Sequence, residues 1–370
     1  VLYVCGQVND TNNFSLFKQQ NMEIIVSKSS AWYRRIKDKV VNADEVVVWV
    51  YSYELFSVAE KIKHIRKQLD TNIYLYVVHE RCLIRGVEVK NGLYKKLCSW
   101  INSINTSYIK TVEQNNELLF MEQAIVELTE THLNMQFQNI SDKVLALPYF
   151  FEEVSIDIEN RKKIITTMAR IDFPFKGYMI GLIDIFSRHY KEYGLELWII
   201  GAGESEGELK EKIDSLNDDV RKNIKLLGNI EYSKIKDILK DSYVFVGMGT
   251  GILDAASVML PSIGVQAYRY ECLGNGFFNE NPGALGYMSD KEELHSIEKE
   301  LIEIFKLSKE EYKGLCYQEN SAARNYYGID KFLSKLESIH KGDKKHSLGE
   351  IIGYKINDIL GKLNMRLHKK

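Results

Sequence analysis

Short apolar segments alternate with amphipathic ones along the chain. In the first half the apolar runs are rich in β-branched and aromatic residues, as expected for strands buried in a parallel sheet. They lie at residues 1–5, 22–26, 45–50 and 73–78. Residues 53–69 between the last two runs place Leu55, Val58 and Ile62 on one helical face. Strands separated by helices predict a doubly wound α/β sheet.

The same alternation starts again after Pro148. Strands are predicted at residues 164–168, 196–200, 224–227, 243–246 and 262–265, and helices at 179–190, 208–216, 233–240 and 252–259. Two Rossmann-like domains predict a ligand site at the carboxyl ends of the strands, near the domain interface. The charged stretch 152–163 has no clear periodicity and is interpreted as the linker. We therefore expect domains at 1–155 and 156–340 and a basic, amphipathic tail at 341–370.

Length and composition agree with two ordinary globular domains. A chain of 370 residues exceeds what one core usually fills, and 45% of it is apolar and 27% charged. The net charge of −2 gives no reason to expect nucleic acid as a partner. The five scattered cysteines form no CxxC pair, which suits a reducing compartment. The first residues do not resemble a secretory signal, and the longest apolar runs are far shorter than the roughly 20 residues that a membrane-spanning helix needs. The chain is therefore expected to be soluble and cytoplasmic.

A glycine-rich turn, Gly247-Met-Gly249-Thr-Gly251, joins a predicted strand to a predicted helix. Small residues there let backbone N–H groups approach an anion at the positive end of the helix. Many such turns serve only tight packing. No Lys-Ser/Thr follows and the spacing is not GxGxxG, which disfavours a Walker-type kinase or an NAD enzyme.

Three charged residues are candidates for the same ligand. Arg170 and Lys176 flank the loop ARIDFPFKG directly after a predicted strand. They either neutralise a diphosphate, Arg as a fork and Lys as a point charge, or are solvated loop charges. Asp254, in the first turn of its helix, either complements the helix dipole or accepts hydrogen bonds from a ribose.

These pieces occur in an order that resembles the nucleotide-binding domain of glycosyltransferase family 4. The resemblance lies in MARIDFPFKGYMIGLIDIFSRHYKEYGLELWIIGAGE and NIKLLGNIEYSKIKDILKDSYVFVGMGTGILDAASVMLPSIG, and extends over roughly residues 164–305. The first half matches only in its strand–helix pattern. The resemblance implies the GT-B fold, in which two Rossmann-like domains face each other across a cleft.

The resemblance also implies a role for each matching position. Arg170 and Lys176 would hold the donor diphosphate and stabilise it as it leaves, and Asp254 would contact the ribose. The remaining donor contacts would come from the backbone of Gly249, Thr250 and Gly251 at the phosphates and of Leu227, Gly228 and Asn229 at the nucleobase. Gly201 and Gly203 match glycines that are expected to be structural.

One position departs from the family pattern. The family usually carries two glutamates separated by seven residues; the second falls at Asp254 and the first at Val246. A valine accepts no hydrogen bond from a sugar hydroxyl, and Asp254 is one methylene shorter than glutamate. We therefore expect altered sugar recognition or a lost donor site.

The first domain offers two further candidates. His79, at the end of a predicted strand, is either a surface histidine or a contact to the donor sugar and the leaving phosphate. Gly6 follows the first strand and is a candidate contact to the donor. No Asp-x-Asp pair stands in a suitable turn and the histidines lack metal-ligand spacing, so we expect no metal and no cofactor, with a UDP- or GDP-sugar as the donor substrate.

The predicted activity is transfer of a hexose from the nucleotide sugar to a glycan, lipid-linked or protein acceptor, retaining and independent of metal. Basic, apolar residues near Lys95, Lys96 and Trp100 either form an amphipathic helix packed on its sheet or rest on an anionic membrane. The tail at 341–370 either packs on the first domain, binds a partner subunit or lies on the inner face of a membrane. Two alternatives stay open. One is another enzyme class on this fold, such as an epimerase; the other is a non-catalytic glycosyltransferase-like subunit.

Overall fold

The computed structural model describes most of the chain from residue 36 onward and two short strands before it. The described residues are 2–5, 23–26, 36–37, 39–41, 43–51, 53–66, 70–83, 103, 105–153, 155–287, 293–339, 342, 345–352 and 354–356. They form two compact units, each built from more than one segment. The first is Val1–Val77, Arg81–Leu119 and Lys341–Lys370, and the second is Val78–Glu80 and Phe120–His340.

The first unit contains two small sheets. Strands β1 (Leu2–Cys5) and β2 (Glu23–Val26) pair in parallel. Strands β3 (Glu45–Val50), β4 (Asp70–Val77) and β5 (Leu118–Phe120) form a sheet in the order β3-β4-β5. A short 3-10 turn (Tyr53–Leu55) and helix α1 (Phe56–Ile65) connect β3 to β4, which are parallel. The four predicted strands of this half are confirmed, and the predicted helix ends earlier than expected.

The second unit contains a seven-stranded sheet in the order β12-β11-β10-β9-β6-β7-β8. Its strands are β6 (Ile164–Met168), β7 (Glu196–Ile200), β8 (Ile224–Gly228), β9 (Val244–Gly247), β10 (Ser262–Val265), β11 (Leu273–Phe277) and β12 (His295–Ser296). Strands β6 to β10 pair in parallel, and β11 runs antiparallel to β10 and β12. All four residues of β9 are buried, which explains its unbroken apolar sequence.

Helices pack around this sheet and follow the predicted positions where a prediction was made. They are α2 (Gln123–Leu133), α3 (Ile140–Lys143), α4 (Tyr178–Tyr193), α5 (Glu206–Asp214), α6 (Asp218–Arg221), α7 (Tyr232–Asp241), α8 (Thr250–Ser257), α9 (Ile297–Lys306), α10 (Lys309–Tyr327) and α11 (Ile329–Glu337). Helix α8 lies at the centre of a core cluster that includes Leu239, Phe245 and Tyr327. Every residue of α8 after Thr250 is buried.

The boundary between the units lies between Leu119 and Phe120, not at residue 155 as expected. Residues after Phe120 bond to the second unit: the Glu122 carboxylate accepts the Leu285 N–H over 2.9 Å, and the Tyr149 N–H donates to the Tyr327 carbonyl over 2.8 Å. These bonds join residues far apart in sequence, which is why the apolar pattern did not reveal them.

The expected linker at 152–163 is also part of the second unit. Arg161 is only 8% exposed and donates to the carbonyl oxygens of Val258 over 2.6 Å and Met259 over 2.9 Å. A buried guanidinium with backbone acceptors anchors this stretch to the end of α8, so its charge does not indicate a solvated connection.

The tail at 341–370 belongs to the first unit rather than standing as a segment of its own. Tyr354 is 4% exposed and its ring stacks on Tyr108 at 4.6 Å between centroids. The Ser107 hydroxyl donates to the Glu350 carboxylate over 2.6 Å. Over its described residues the tail therefore packs on the first unit, one of the three alternatives considered for it.

Candidate functional site

The candidate site lies at the carboxyl edge of the seven-stranded sheet, where β6 and β9 are neighbours. Parallel strands end at the same edge, so the loop after β6 and the turn after β9 emerge side by side. A Cβ atom placed on Gly251 would lie 3.4 Å from Cε of Met168 and 3.6 Å from its carbonyl oxygen. The first turn of α8 therefore packs against the end of β6, two residues before Arg170.

The amino end of α8 is shaped by Gly249. This residue has φ 69° and ψ −152°, a left-handed backbone that favours glycine. Its N–H donates to the Leu285 carbonyl, and its own carbonyl accepts the Ile252 N–H over 3.1 Å. The first N–H groups of a helix have no acceptor within the helix. The amides of Thr250 and Gly251 thus form the positive end of α8, suited to an anion.

The two predicted cations lie in the loop beside this helix end. The Arg170 side chain is 75% exposed and contacts the Asp172 carboxylate at 2.8 Å. The amine of Lys176 lies 4.5 Å from the centre of the Phe175 ring. Burial, followed by the nearby Arg170 guanidinium, lowers the pKa of Lys176 from 10.5 to about 8, and Asp172 opposes the shift. Two cations with one neighbouring carboxylate make a place where an added anion is favourable.

The glycines after β7 hold this loop in place. A Cβ atom on Gly201 would lie 1.9 Å from the Ala169 carbonyl oxygen, and one on Gly203 would lie 2.1 Å from that of Ile171. Real Cβ atoms do not approach so closely, so only glycine allows the two loops to touch. The expectation that Gly201 and Gly203 are structural is confirmed.

The segment Leu227, Gly228 and Asn229 lies at the end of β8, on the same edge. The Gly228 carbonyl accepts the Gly201 N–H over 2.8 Å, and Asn229 is exposed. Strand β8 is two positions from β6, so this segment is about 10 Å from the cation loop by strand spacing. The helix end, the cations and this segment follow one another along the sheet edge.

Asp254 is 3% exposed and its Oδ1 atom accepts two tyrosine hydroxyls. The Tyr149 and Tyr232 hydroxyls each donate to Oδ1 over 2.7 Å. Burial raises the pKa of Asp254, while the two hydroxyls and Lys236 oppose that rise. Neither tyrosine is among the residues predicted from the sequence. Tyr149 is 105 residues from Asp254, so no local spacing reveals it.

Val246 is fully buried within β9, opposite Ile263 of β10. A glutamate here would lie in the interior of the sheet rather than at its edge, so this position does not provide an acid for sugar recognition.

His79 lies beside the cation loop. Residues Val78–Glu80 belong to the second unit, and the His79 ring is 5.7 Å from the Tyr287 ring and 6.4 Å from the Phe175 ring. Its Nδ1 atom is 3.0 Å from the Glu80 carboxylate. The structure thus brings His79 near Lys176, whereas Gly6 lies outside the described residues.

The described part of the chain contains neither a metal-type cluster nor a membrane-spanning helix. Within it, no three His, Cys, Asp or Glu side chains are grouped as a metal site would require. Also within it, no helix has the length and apolar character needed to span a membrane. Lys95, Lys96 and Trp100 lie outside the described residues.

Neither a family model nor a curated protein matches the sequence, but solved structures do. HepE from Anabaena, in complex with UDP and glucose, is 14% identical and superposes with a TM-score of 0.57 over 91% of this chain and 92% of that one. A glycosyltransferase from Rickettsia africae ESF-5 is 12% identical, with a TM-score of 0.55 over 91% of this chain and 88% of that one.

S. aureus TarM, in a complex that includes UDP, is 15% identical with a TM-score of 0.52 over 83% of this chain. The match covers 58% of TarM, so this chain spans little more than half of that protein's length. At such identities the likeness shows the fold. The chain has the α/β fold of the GT-B glycosyltransferases, with parallel sheets, as the sequence predicts. Membership of family 4 stays a prediction.

Proposed function

We propose that this protein is a glycosyltransferase that moves a hexose from a nucleoside-diphosphate sugar to a glycan, lipid-linked or protein acceptor. One observation carries the proposal: the loop that holds Arg170 and Lys176 and the amino end of α8 follow neighbouring strands at the carboxyl edge of a parallel sheet. Structural neighbours in complex with UDP and a sugar support it.

The proposed mechanism follows from charge. When the bond between the anomeric carbon and the phosphate oxygen breaks, negative charge develops on the diphosphate and positive charge on the sugar. Arg170 as a fork, Lys176 as a point charge and the α8 amides stabilise that negative charge without a metal ion. The acceptor hydroxyl bonds to the anomeric carbon, and its proton passes to the departing phosphate. Attack from the face that the phosphate leaves retains the anomeric configuration, as the family resemblance implies.

The nucleotide would lie along the sheet edge. Its phosphates would contact the amides of Thr250 and Gly251, and its base would meet the backbone of residues 227–229. The Gly249 amide, also expected at the phosphates, instead donates to the Leu285 carbonyl. The separation of about 10 Å between the cation loop and that segment suits a nucleoside diphosphate. His79, beside Phe175, would contact a sugar hydroxyl or assist the proton transfer.

The protein is proposed to act in the cytoplasm, and at the inner face of a membrane when the acceptor is lipid-linked. The scattered cysteines and the basic residues of the tail support this placement.

A second candidate function is a non-catalytic subunit that binds a protein or glycan. The burial of Val246 favours it, because the site lacks one acid of the family pattern. The neighbouring cations Arg170 and Lys176 count against a non-catalytic subunit, because two positive charges held close together repel each other when no anion is bound.

A nucleotide-sugar panel tests the proposal. The protein is incubated with UDP- and GDP-sugars, and the melting temperature and the slow release of nucleoside diphosphate are measured. At least one donor should raise the melting temperature and be hydrolysed. Arg170→Ala with Lys176→Ala should abolish both effects. The control Arg221→Ala with Lys222→Ala removes two exposed charges at the end of α6 and should leave both effects intact. If no nucleotide sugar binds or reacts, the enzyme proposal is wrong.

A further inference from the structure

Tyr268 lies between β10 and β11 with a backbone conformation that a bulky residue rarely adopts. Its φ is 61°, and among the described residues it is the only aromatic one with a positive φ. This conformation costs free energy in a residue with a large side chain, whereas Gly, Asn and Asp adopt it readily. The side chain is 49% exposed, so burial in the core does not offset the cost. Strained residues of this kind cluster at functional sites.

The strained turn is fixed by two backbone hydrogen bonds. The Tyr268 N–H donates to the Phe175 carbonyl over 3.1 Å, and the Ala267 N–H donates to the Gly286 carbonyl over 3.1 Å. A glycine or an asparagine at position 268 would make the same backbone bond with less strain. The tyrosine side chain therefore has a role that the backbone bonds do not explain.

Two aromatic pairs join this turn to the loop that carries the proposed phosphate cations. The β10 loop (residues 266–272) places the Tyr268 ring 5.0 Å from the Phe175 ring and the Tyr270 ring 6.0 Å from the Phe173 ring. A Cβ atom on Gly177 would lie 2.9 Å from a backbone oxygen of the β10 loop, so the two backbones touch as well. The β10 loop thus packs directly on the cation loop (residues 169–177).

The Phe175 ring connects Tyr268 to the lysine. The Lys176 amine lies 4.5 Å from the centre of that ring, and burial is the largest cause of its lowered pKa. A ring in this place attracts the ammonium charge and replaces water that would otherwise hydrate it. A partly dehydrated charge interacts more strongly with an anion, because the local dielectric constant is lower.

The other charged groups on the segments packed around Lys176 have smaller effects on it. They are Arg170 and Asp172 in its own loop, His79 and Glu80 after β4, and Arg269 and Glu271 in the β10 loop. Arg170 lowers the pKa of Lys176 and Asp172 raises it, and both effects are smaller than that of burial. The state of the amine thus depends mainly on what covers it.

We propose that Tyr268 is a positioning residue that holds the Phe175 ring against the Lys176 amine, so that the amine meets the diphosphate with little water around it. The strain at Tyr268 arises because an aromatic ring is needed at a turn that favours a small residue. The amine then gains more from a bound diphosphate than a hydrated lysine would. This inference rests on the proposed function, because Tyr268 acts through Lys176.

The test measures the dissociation constants of UDP and GDP by calorimetry on the full chain at pH 7 and pH 9. Tyr268→Asn removes the ring, and asparagine tolerates the left-handed backbone. It should bind about tenfold more weakly than the wild type at pH 7 and within about twofold of it at pH 9. The difference disappears because the free wild-type amine, with a pKa of about 8, is mostly neutral at pH 9. Wild-type affinity at pH 9 also shows that the variant is folded.

Three further variants serve as controls. Tyr268→Phe keeps the ring and should match the wild type at both pH values. Tyr268→Gly removes the ring and adopts the backbone without strain, so it should reproduce the result of Tyr268→Asn. Tyr317→Asn removes another half-exposed tyrosine, on α10, and should leave both dissociation constants unchanged.

The outcomes separate this inference from the proposed function. If the wild type binds UDP or GDP and Tyr268→Asn weakens binding equally at both pH values, or at neither, the inference is wrong and the proposed function stands. The same conclusion follows if Tyr268→Phe weakens binding as much as Tyr268→Asn, because the ring contact is then not the cause. If the wild type binds neither nucleotide, both the proposed function and the inference are overturned.

Discussion

The depressed pKa of Lys176 makes nucleotide affinity depend on pH in a defined direction. In the free protein burial and the Arg170 guanidinium lower this pKa to about 8. A bound diphosphate supplies the missing negative charge and raises it again towards 10.5, its ordinary value. Below about pH 8 the amine is already charged, and the nucleotide binds at full strength. Above about pH 8 the amine of Lys176 is mostly neutral, so nucleotide binding must be accompanied by uptake of a proton.

The size of the effect follows from linkage. With a free pKa of about 8, affinity should fall about twofold by pH 8 and about tenfold by pH 9, relative to pH 7. At pH 8 about half a proton should be taken up per nucleotide bound. The phosphate itself loses its last proton near pH 6, so between about pH 7.5 and 9.5 it contributes little.

Calorimetry measures both quantities when UDP or GDP is titrated in buffers of different ionisation enthalpy. Lys176→Arg is the matched variant, because its guanidinium stays charged throughout the range. It should bind with an affinity that no longer falls between pH 7.5 and 9.5. A wild-type affinity that is flat over this range, or a decline that persists in Lys176→Arg, would refute the assignment of Lys176 to the phosphate site.

Three further predictions concern the scaffold, and unfolding in denaturant at fixed pH measures each. Gly203→Ala should lower the free energy of unfolding by at least about 2 kcal/mol, because its Cβ would lie 2.1 Å from a backbone oxygen, whereas Gly207→Ala, with no atom within 4 Å, should be neutral or stabilising. Glu319→Gln should stabilise the protein more at pH 8 than at pH 5. Burial raises the pKa of Glu319 well above 4.5, and nearby backbone N–H groups oppose that rise. The folded wild type therefore loses stability as the pH rises from about 4.5 towards the raised pKa, whereas a glutamine does not ionise. Val246→Glu should destabilise by about 3 kcal/mol or more through a buried carboxylate. Wild-type stability of Gly203→Ala or Val246→Glu, or an equal effect of Glu319→Gln at the two pH values, would contradict the reason given for that variant.

The parallel strands of the second unit could be predicted because each is a short apolar run between turn residues. Strand β11, with the sequence LGNGF, carries no such pattern. Its pairing with β10 makes it a strand, and pairing is a tertiary contact. The boundary at Phe120 was missed for the same reason, since the contacts of Glu122 and Tyr149 reach residues more than 150 positions away.

The phosphate side of the site could be predicted because its residues follow strand ends and lie at one sheet edge. Arg170 and Gly249 are 79 residues apart in sequence, yet the order β9-β6 makes their loops neighbours. Tyr149 and Tyr232 could not be predicted in the same way. Neither belongs to a loop that follows a strand end, and their role depends on where their hydroxyls meet Asp254 in the folded chain.

The most direct measurement of the central claim is a crystal structure with UDP or GDP bound. The account predicts both phosphates at the carboxyl edge of the seven-stranded sheet, within hydrogen-bond distance of the Arg170 and Lys176 side chains and of the Thr250 and Gly251 amides. A nucleotide whose phosphates lie elsewhere on the protein, touching neither cation nor the amino end of α8, would contradict it.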